Sequence, residues 1–393
     1  MMVIDAIALP LLALQLPATA ILLARLLPGA HRRPPVAPQP SRLDRLASVS
    51  AIVPTLNEVH RLSPCLEGLR RQSYVLREVI VVDSHSTDGT PDLVKAASQR
   101  DPRLRLVNDD PLPRGWVGRP WALHHGFLCT NVHTKWVLGI DADTQPQPGL
   151  IAGLIDIAET EGYDLLSLGP KFIIKHPGEA ALLPALMLTL VYRCGVVGTT
   201  SDVDRVLANG QCFLCRRSVL DAIDGYTSAR RSFCDDVTLA RNIAKRGYKV
   251  GFLDGSQVLK VRMYEGALET WNEWGRSLDL KDATSGRQLF ADLWLLFSIQ
   301  ALPILILTTF LLLGQTPFAP TSFSLVLSLL LALNLFLFAI RLALQPAIIS
   351  AYEFTRPKLK WFFWLSPLID PIAALRIFLS AIRRPKKWRG RKY

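Results

Sequence analysis

The chain has 393 residues, half of them apolar, and a formal net charge of +12. This length allows one domain of about 200–250 residues with additional elements. Residues 6–24 carry no charged side chain, and neither do residues 293–340, which excludes an ordinary soluble protein. Because a helix needs roughly 20 apolar residues to cross a bilayer, the first stretch predicts one transmembrane helix. The second predicts two, separated by the turn-like sequence at residues 314–321.

The N-terminal stretch has the charge distribution of a membrane anchor. A signal peptide would begin with a basic region, but Asp5 stands there instead, and Arg25, Arg32 and Arg33 follow the apolar run. Positive charges on this side favour an anchor whose C-terminal end lies in the cytoplasm. We therefore predict a transmembrane anchor at residues 1–27.

The charge pattern also predicts on which side of the membrane the rest of the chain lies. A soluble region follows the anchor, and a two-helix hairpin returns the chain to the side where "TRPKLK" and the basic residues 383–393 lie. Such a tail is compatible with nucleic-acid binding, but beside apolar segments it is more typical of contact with anionic lipid in the cytoplasmic leaflet. We expect a multi-pass protein of a cell inner (plasma) or thylakoid-type membrane, with its soluble domain in the cytoplasm and no nucleic-acid partner.

The last apolar piece, residues 361–382, is interpreted as a helix lying in the membrane interface. It contains Pro367, Asp370, Pro371 and Arg376, and a full crossing would place the basic tail on the opposite side. A further span is the alternative. The predicted domains are a transmembrane anchor (1–27), a Pro/Arg-rich linker (28–47), an α/β domain (48–288), a transmembrane helical hairpin (289–345), and an interfacial helix with a basic C-terminal tail (346–393).

The region that begins at residue 48 alternates between two sequence patterns. The short runs "VSAIVPT", "REVIVVD", "RLRLVND" and "KWVLGID" are typical of buried strands, and helical spacing lies between them. Strands that alternate with helices predict βαβ units and a mostly parallel sheet covered on both faces, so the fold class expected is α/β. Neither GxGxxG nor GxxxxGK[ST] accompanies these strands, so dinucleotide and P-loop chemistry lose support.

Polar side chains follow three of the predicted strands. Asn57 and Glu58 come after the first strand, Asp83 after the second, and Asp141 and Asp143 after the fourth. Ligands bind beyond the carboxyl ends of the strands in such sheets, so we expect these side chains to converge. Two carboxylates one residue apart repel each other, but they can share a divalent cation whose other ligands are phosphates. The spacing therefore predicts a site for a metal–diphosphate.

Five motifs give the chain a family resemblance. The succession "VPTLNE", "VVDSHSTDGT", "IDADT", "CDDVTLARNI" and "WNEWGRS" resembles the family 2 glycosyltransferases of the GT-A fold, over about residues 48–282. The stretch "PRGWVGRPWALHHG" is similar to a G-W-x-G-[KR]-x-W-A segment of transferases that act on carotenoids and hopanoids, near the ceramide glucosyltransferases. The terminal "WRGRKY" fits the same subgroup. The resemblance implies a GT-A domain with transmembrane helices, a UDP- or GDP-sugar donor, a lipid acceptor in the bilayer, and Mg²⁺ or Mn²⁺ as cofactor.

The resemblance also implies roles for individual residues. Asp236, with Asp235 beside it, would be the general base, because an inverting transferase needs a carboxylate to take the proton from the attacking hydroxyl. Asp141 and Asp143 would hold the metal–diphosphate, because a cation stabilises the departing diphosphate. Asp83 would accept hydrogen bonds from the nucleobase or ribose. The other residues expected to bind substrate are Pro54, Asn57, Glu58, Arg114, Trp116, Arg119, Trp274 and Arg276.

The sequence departs from the family pattern at three places. The catalytic pair is Asp235–Asp236 where Glu–Asp is common, and Ser84 follows Asp83 where a second aspartate is usual, which weakens the predicted nucleobase contact. The sequence "WNEWGRS" stands where processive synthases carry QxxRW. We therefore expect transfer of a single sugar to a hydroxyl of a carotenoid or other isoprenoid. The alternatives are a polyprenyl-phosphate acceptor and polysaccharide synthesis.

Several of these residues also have structural interpretations. Asp235 is compatible with a charge that the dipole favours at a helix N-terminus. Trp116 suits a core aromatic equally well, and Trp274 suits an anchor at the membrane surface. Arg114 and Arg119 are compatible with ordinary solvated charges, although an arginine beside a phosphate site is an effective anion ligand. An inactive nucleotide-sugar binding protein is the competing function, but it would be expected to lack the DxD or the base.

Overall fold

The computed structural model describes residues 2–199, 202–275, 278–312, 324–383, 387–388 and 391–392, in two compact units. We call them the sheet unit (residues 32–173, 197–263 and 385–393) and the helical unit (residues 1–31, 174–196 and 264–384). The predicted turn at residues 314–321 lies outside the described residues.

The bounds of the regular elements follow in chain order. The strands are β1 (Val49–Thr55), β2 (Leu76–Asp83), β3 (Leu104–Asn108), β4 (Trp136–Ile140), β5 (Thr144–Pro146), β6 (Leu165–Gly169), β7 (Lys171–Ile174), β8 (Cys212–Arg216), β9 (Val250–Asp254), β10 (Leu259–Val261), β11 (Tyr352–Phe354), β12 (Lys387–Trp388) and β13 (Arg391–Lys392). The helices are α1 (Met2–Leu26), α2 (Leu62–Arg70), α3 (Thr90–Ser98), α4 (Gly118–Cys129), α5 (Leu150–Thr160), α6 (Pro177–Cys194), α7 (Arg217–Ala222), α8 (Asp235–Lys245), α9 (Gly266–Glu269), α10 (Gly286–Leu296), α11 (Leu302–Leu312), α12 (Leu325–Ile348), α13 (Leu359–Trp364) and α14 (Asp370–Ile382).

The sheet unit is built on a seven-stranded sheet of order β3-β2-β1-β4-β8-β6-β9. The pairs β1–β2, β1–β4, β2–β3 and β6–β9 are parallel, and β8 runs antiparallel to β4 and β6. This confirms the predicted α/β class with a mostly parallel sheet. Because β8 is antiparallel, its first residue Cys212 lies opposite Ile140, the last residue of β4. The loop that enters β8 therefore lies at the same sheet edge as the aspartates that follow β4.

Two hydrophobic clusters cover the two faces of this sheet. Val49, Ala51 and Val53 of β1 belong to one cluster, and Ile52 of the same strand belongs to the other. Successive side chains of a strand point to opposite faces, so the clusters lie on opposite sides. The predicted linker packs here too, since the buried Val36 donates its N–H to the Asp254 carbonyl at 2.7 Å.

Gly126 in α4 lies close against strands of the seven-stranded sheet. A Cβ at this position would lie 2.4 Å from Cγ2 of Ile52 and 2.8 Å from Cγ2 of Val82. Gly126→Ala is therefore expected to lower the free energy of unfolding by about 1–3 kcal/mol, the usual cost of overpacking. Thermal unfolding of the detergent-solubilised protein measures this. Gly286→Ala is the control, because a Cβ there meets nothing within 4 Å; equal stability of the two variants would contradict the packing argument.

Among its described residues, the helical unit contains three helical stretches that are long and apolar enough to cross a bilayer. They are Asp5–His31, Gly286–Leu312 and Leu325–Ala351, as the uncharged stretches of the sequence predict. The predicted domain at 48–288 does not coincide with the division into units, since residues 174–196 and 264–288 group with these helices. The buried Gln15 amide donates to Oδ1 of Asn334 at 2.9 Å and to the Ser298 carbonyl at 2.8 Å. Such polar contacts join helices where apolar surroundings offer no other partner.

Candidate active site

The two aspartates that follow β4 begin the candidate site. Asp141 accepts a hydrogen bond from Nε of Arg119 at 2.9 Å. Burial raises the pKa of Asp141, and Arg119 opposes the rise. The carbonyl of Asp141 accepts the Thr144 hydroxyl at 2.7 Å, which turns the chain sharply into β5. The DxD sequence is thus held in a tight turn at the carboxyl edge of the sheet.

Arg119, at the N-terminal end of α4, connects the DxD aspartates to the predicted catalytic pair. Its guanidinium forms ion pairs with Asp141 and with Asp235, and it donates to the Gly210 carbonyl at 2.7 Å. Burial alone would lower its pKa, but the facing carboxylates hold the pKa of Arg119 above its ordinary value. This side chain supplies positive charge that offsets the repulsion within the carboxylate cluster.

Asp143 has an oxygen without a partner. Among the described residues, none forms a hydrogen bond with its buried Oδ1 atom. Burial and then the nearby Asp141 raise the pKa of Asp143, and the charge of Arg61 opposes the rise. A buried carboxylate oxygen that lacks a partner costs free energy, and hard oxygen ligands suit a divalent cation. The residue types and this free oxygen fit a Mg²⁺ or Mn²⁺ ion held by Asp141 and Asp143.

Asp235 and Asp236 open α8, and their surroundings differ. Asp235 is buried, 6% exposed, and ion-paired with Arg119; burial raises its pKa. Asp236 is half-buried, and its Oδ2 accepts the Gly210 N–H at 2.7 Å. The structural interpretation of Asp235, a charge at a helix N-terminus, is therefore compatible with its position, but its partner is a side chain of the site. Asp236 is the more accessible carboxylate of the pair.

A small pocket that opens to solvent brings these groups together. Arg119, Gly210, Asp235 and Asp236 contribute polar groups to its wall, and Tyr226 is among the other residues that line it. Four segments that are far apart in sequence therefore converge at one place, with two carboxylates and one guanidinium. This arrangement can remove a proton and neutralise developing negative charge within the same pocket.

The loops after β1 and β2 form a hydrogen-bonded pair. Asn57, with a left-handed φ of 57°, accepts the Thr87 N–H at 2.9 Å and donates its own N–H to Ser86. Asp83, 1% exposed, accepts hydrogen bonds from the Thr55 hydroxyl at 3.1 Å and from Ser86. Asp83 therefore organises the loop, and its predicted contact with a nucleobase stays a prediction. Of the neighbouring residues expected to bind substrate, Glu58 is buried and Pro54 lies half-buried in β1.

The remaining predicted residues are distributed more widely. Trp116 stacks its indole edge to face with Trp121, ring centroids 5.2 Å apart, so its position agrees with the core-aromatic alternative. Arg114 is exposed. Trp274 belongs to the helical unit and is 8% exposed, with its ring 6.1 Å from that of Tyr264. Arg276 lies outside the described residues. Their roles in substrate binding stay predictions.

Three positions that the structure places at or near this edge were not predicted from the sequence. Gly210 contacts both Arg119 and Asp236; an Asn-Gly turn before a cysteine-rich strand was its only signal. Asp109 follows β3 and accepts the Ser84 hydroxyl at 2.7 Å. Asp109 directly follows a strand, and this is the same signal that indicated Asp83. Arg61 acts on Asp143 from the start of α2, and nothing in the local sequence indicates this.

Comparison with known proteins finds a family model, relatives and a solved structure to which this chain is similar. Residues 50–223 match the family model "Glycosyl transferase family 2". The chain is 24% identical over 232 residues to 4,4'-diaponeurosporenoate glycosyltransferase of Staphylococcus haemolyticus, covering 59% of this chain and 61% of that protein. It is 32% identical over 129 residues to undecaprenyl-phosphate 4-deoxy-4-formamido-L-arabinose transferase of Serratia proteamaculans, covering 32% of this chain and 38% of that protein. The alignments thus span less than two thirds of either relative.

One solved structure resembles the whole chain. It is a mannosyltransferase from Pyrobaculum calidifontis in complex with GDP-Man and Mn²⁺, with a TM-score of 0.55 and 20% identity. The match covers 96% of this chain and 99% of that one. At this identity the likeness concerns the fold alone.

Proposed function

Since the chain carries a glycosyl transferase family 2 domain on the GT-A fold, we propose that it is an inverting glycosyltransferase. It moves a single sugar from a nucleotide-diphosphate sugar to a hydroxyl of a membrane lipid, a carotenoid or another isoprenoid. The observation that carries the proposal is the pocket in which Asp236 and Arg119 lie beside the DxD aspartates. A base and a cation site are the groups that such a transfer requires, and a cationic side chain adds electrostatic stabilisation.

In the proposed mechanism Asp236 removes the proton from the acceptor hydroxyl. The Gly210 N–H holds its Oδ2 and the Val237 N–H holds its Oδ1, at 2.7 Å and 2.8 Å. Each carboxylate oxygen has a second lone pair with which it can accept the acceptor hydroxyl. Arg119 fixes Asp235 and Asp141 in place, so that the carboxylates stay in position as charge moves during transfer. Asp141 and Asp143 would hold a divalent cation, which supplies electrostatic stabilisation of the departing diphosphate. Pro54, Asn57, Glu58 and Asp83 are proposed to line the nucleotide end of the donor site.

The acceptor assignment rests on the membrane helices and on the relatives. An acceptor dissolved in a bilayer must be met at its surface, and three apolar helices keep the chain there. A relative is named for its action on diaponeurosporenoate, which supports an isoprenoid acceptor. Another is named for an undecaprenyl-phosphate acceptor, which supports the alternative of a polyprenyl phosphate. We propose that the sheet unit lies in the cytoplasm, where nucleotide sugars occur.

Asp143→Ala tests the proposed cation site. Donor affinity in the presence of Mn²⁺ is expected to fall by more than about tenfold, since even residues behind the ligands change metal affinity by that factor. Calorimetric titration of the purified protein with UDP- and GDP-sugars, with Mn²⁺ and with a chelator, measures the change. Asp221→Ala is the control, because this aspartate is exposed on α7. Unchanged metal-dependent affinity in Asp143→Ala would remove this residue from the cation site.

The function is tested by lipid profiling of cells with and without the gene. Loss of a lipid heavier than its precursor by one hexose or deoxyhexose would identify acceptor and sugar together. The pigments and polar lipids are separated by chromatography, and their masses are measured by mass spectrometry. An unchanged lipid profile together with a missing surface polysaccharide would contradict the lipid acceptor and favour polymer synthesis.

A further inference from the structure

Residues 361–382 turn an apolar surface outward. Every exposed residue of this segment is Trp, Phe, Leu or Ile, from Trp361 at 74% exposed to Ile382 at 76%. The exposed positions recur every three or four residues along the two short helices, as at Leu368, Ile372 and Leu375. A helical surface without a single exposed polar side chain over this length is not suited to water.

Four side chains of the same segment are polar, and one of them, Arg376, is half-buried and donates from Nε to the Trp271 carbonyl at 2.7 Å. The other three point inward. Ser366, Asp370 and Ser380 are at most 3% exposed. A helix that lies on the membrane surface has the opposite arrangement, because its polar face contacts water and its apolar face contacts lipid. The outward face of residues 361–382 is apolar, which points to a position deeper in the bilayer than that of the interfacial helix predicted from the sequence.

A buried ion pair holds the segment against the last long helix. Arg341 of α12 donates from Nε to Oδ2 of Asp370 at 2.7 Å and from a terminal nitrogen to the Ser366 hydroxyl at 3.0 Å. One turn later Gln345 donates to the Phe363 carbonyl at 2.8 Å. Both members of the ion pair are at most 4% exposed. Ionisable side chains among apolar helices are costly unless they pair with one another, and here each one is the partner of the other.

The segment is too short and too broken to cross a bilayer. Its longer helix, α14, has 13 residues, which extend about 20 Å at 1.5 Å per residue, whereas the hydrocarbon core is about 30 Å thick. Pro367 separates it from α13 in a 3₁₀ turn. Exposed cationic side chains flank both ends, with Lys358 and Lys360 before the segment and Arg383 after it.

We propose that residues 361–382 form a re-entrant element embedded in one leaflet of the bilayer. The partner of the apolar face is lipid. Acyl chains cover this face, and the flanking cations contact anionic headgroups of that same leaflet. The Arg341–Asp370 ion pair holds the element at this depth. The positive charge at both ends favours contact with lipid over contact with a second copy of the chain. Two copies packed on this face would bring like charges together, and these would repel each other. This inference does not rest on the proposed enzymatic activity.

Single cysteines in the full-length protein test the placement. Cys129 is replaced by Ser first, since it is partly exposed whereas the other five cysteines are buried. Lys360→Cys and Arg383→Cys are then reacted with a membrane-impermeant maleimide in sealed vesicles of phosphatidylcholine and phosphatidylglycerol. Both are expected to react from the same face. Reaction from opposite faces would mean that the segment spans the bilayer and would overturn the proposal.

Spin labels measure how deep residues 361–382 lie in the bilayer. Labels at Trp361, Leu368 and Ile382 are compared for collision with oxygen, which concentrates in hydrocarbon, and with a water-soluble nickel chelate. The label at Leu368 is expected to be deepest, and those at the two ends to be shallow. Preferential access of nickel at Leu368 would contradict embedding. Dipolar broadening with low access of both reagents would show a second copy on this face and would also overturn the proposal.

The ion pair is tested with a charge swap. Asp370→Asn leaves the Arg341 guanidinium without its carboxylate, and the label at Leu368 is expected to become more mobile and lose its depth. The double variant Arg341→Asp/Asp370→Arg is expected to recover the original depth, because opposite charges again face each other. An unchanged depth in Asp370→Asn, or a double variant no better than the single ones, would remove the ion pair from this role.

Discussion

Replacement of Asp236 by asparagine is expected to lower turnover by about 10²- to 10⁴-fold, the usual contribution of a general base. Donor affinity should stay nearly unchanged, because asparagine has the size of aspartate and its side-chain oxygen still accepts one of the two backbone N–H groups, of Gly210 and Val237, that now hold the carboxylate. Sugar transfer to lipid extracts measures turnover, and calorimetric titration with the donor measures affinity.

The control for Asp236→Asn is Asp92→Asn. Asp92 lies in the first turn of α3, as Asp236 lies in the first turn of α8, but its side chain is 84% exposed and far from the carboxylate cluster in sequence. A loss of helix-dipole stabilisation would affect both variants alike, whereas loss of the base affects Asp236→Asn alone. Undiminished turnover in Asp236→Asn would exclude this residue as the base.

Arg119→Met is expected to reduce both stability and turnover. Removal of one partner of a buried ion pair costs about 3–5 kcal/mol, and the lower end applies because the Asp141 side chain is 27% exposed. Asp141 and Asp235 would then face each other without a cation between them, so the site would lose its geometry. Thermal unfolding and transfer kinetics measure the two effects. Arg119→Lys should recover only part of the activity, because an ammonium cannot contact both carboxylates with the planar fork of a guanidinium.

Two further variants separate charge balance from a direct role in catalysis. Arg119→Met/Asp235→Asn removes one cation and one anion together, and it should recover most of the lost stability while turnover stays low. Arg114→Met is the matched surface control, because Arg114 is exposed and lies in the same segment of the chain. A double variant as unstable as Arg119→Met would show that the ion pair with Asp235 is not what stabilises the site.

The elements that lie close together in sequence were predictable. Alternating apolar runs and helical spacing predicted the parallel core of the sheet, and the uncharged stretches predicted the three long apolar helices. Both follow from local periodicity and length, which need no knowledge of the fold. The position of Asp141 and Asp143 after a buried strand was also predictable, because the carboxyl ends of parallel strands share one edge.

Contacts between distant segments could not be predicted in this way. Nothing near Arg119 in the sequence indicates that its guanidinium pairs with Asp235, 116 residues later. The antiparallel direction of β8, which carries Gly210 to the site, depends on which strands become neighbours. Ser84 marks a departure from the family, but only the structure shows that its hydroxyl binds Asp109.

The sequence by itself determined the membrane character, the α/β class, and the aspartates on which the proposed chemistry depends. Each of these follows from residue type and from the spacing of residues along the chain. Only the tertiary structure decided how the carboxylate charges are balanced and which side chains of residues 361–382 face outward. The physical reason is the same in both cases. A buried charge needs a partner, and the partner, Arg119 for Asp235 or Arg341 for Asp370, comes from whichever part of the chain the fold brings near.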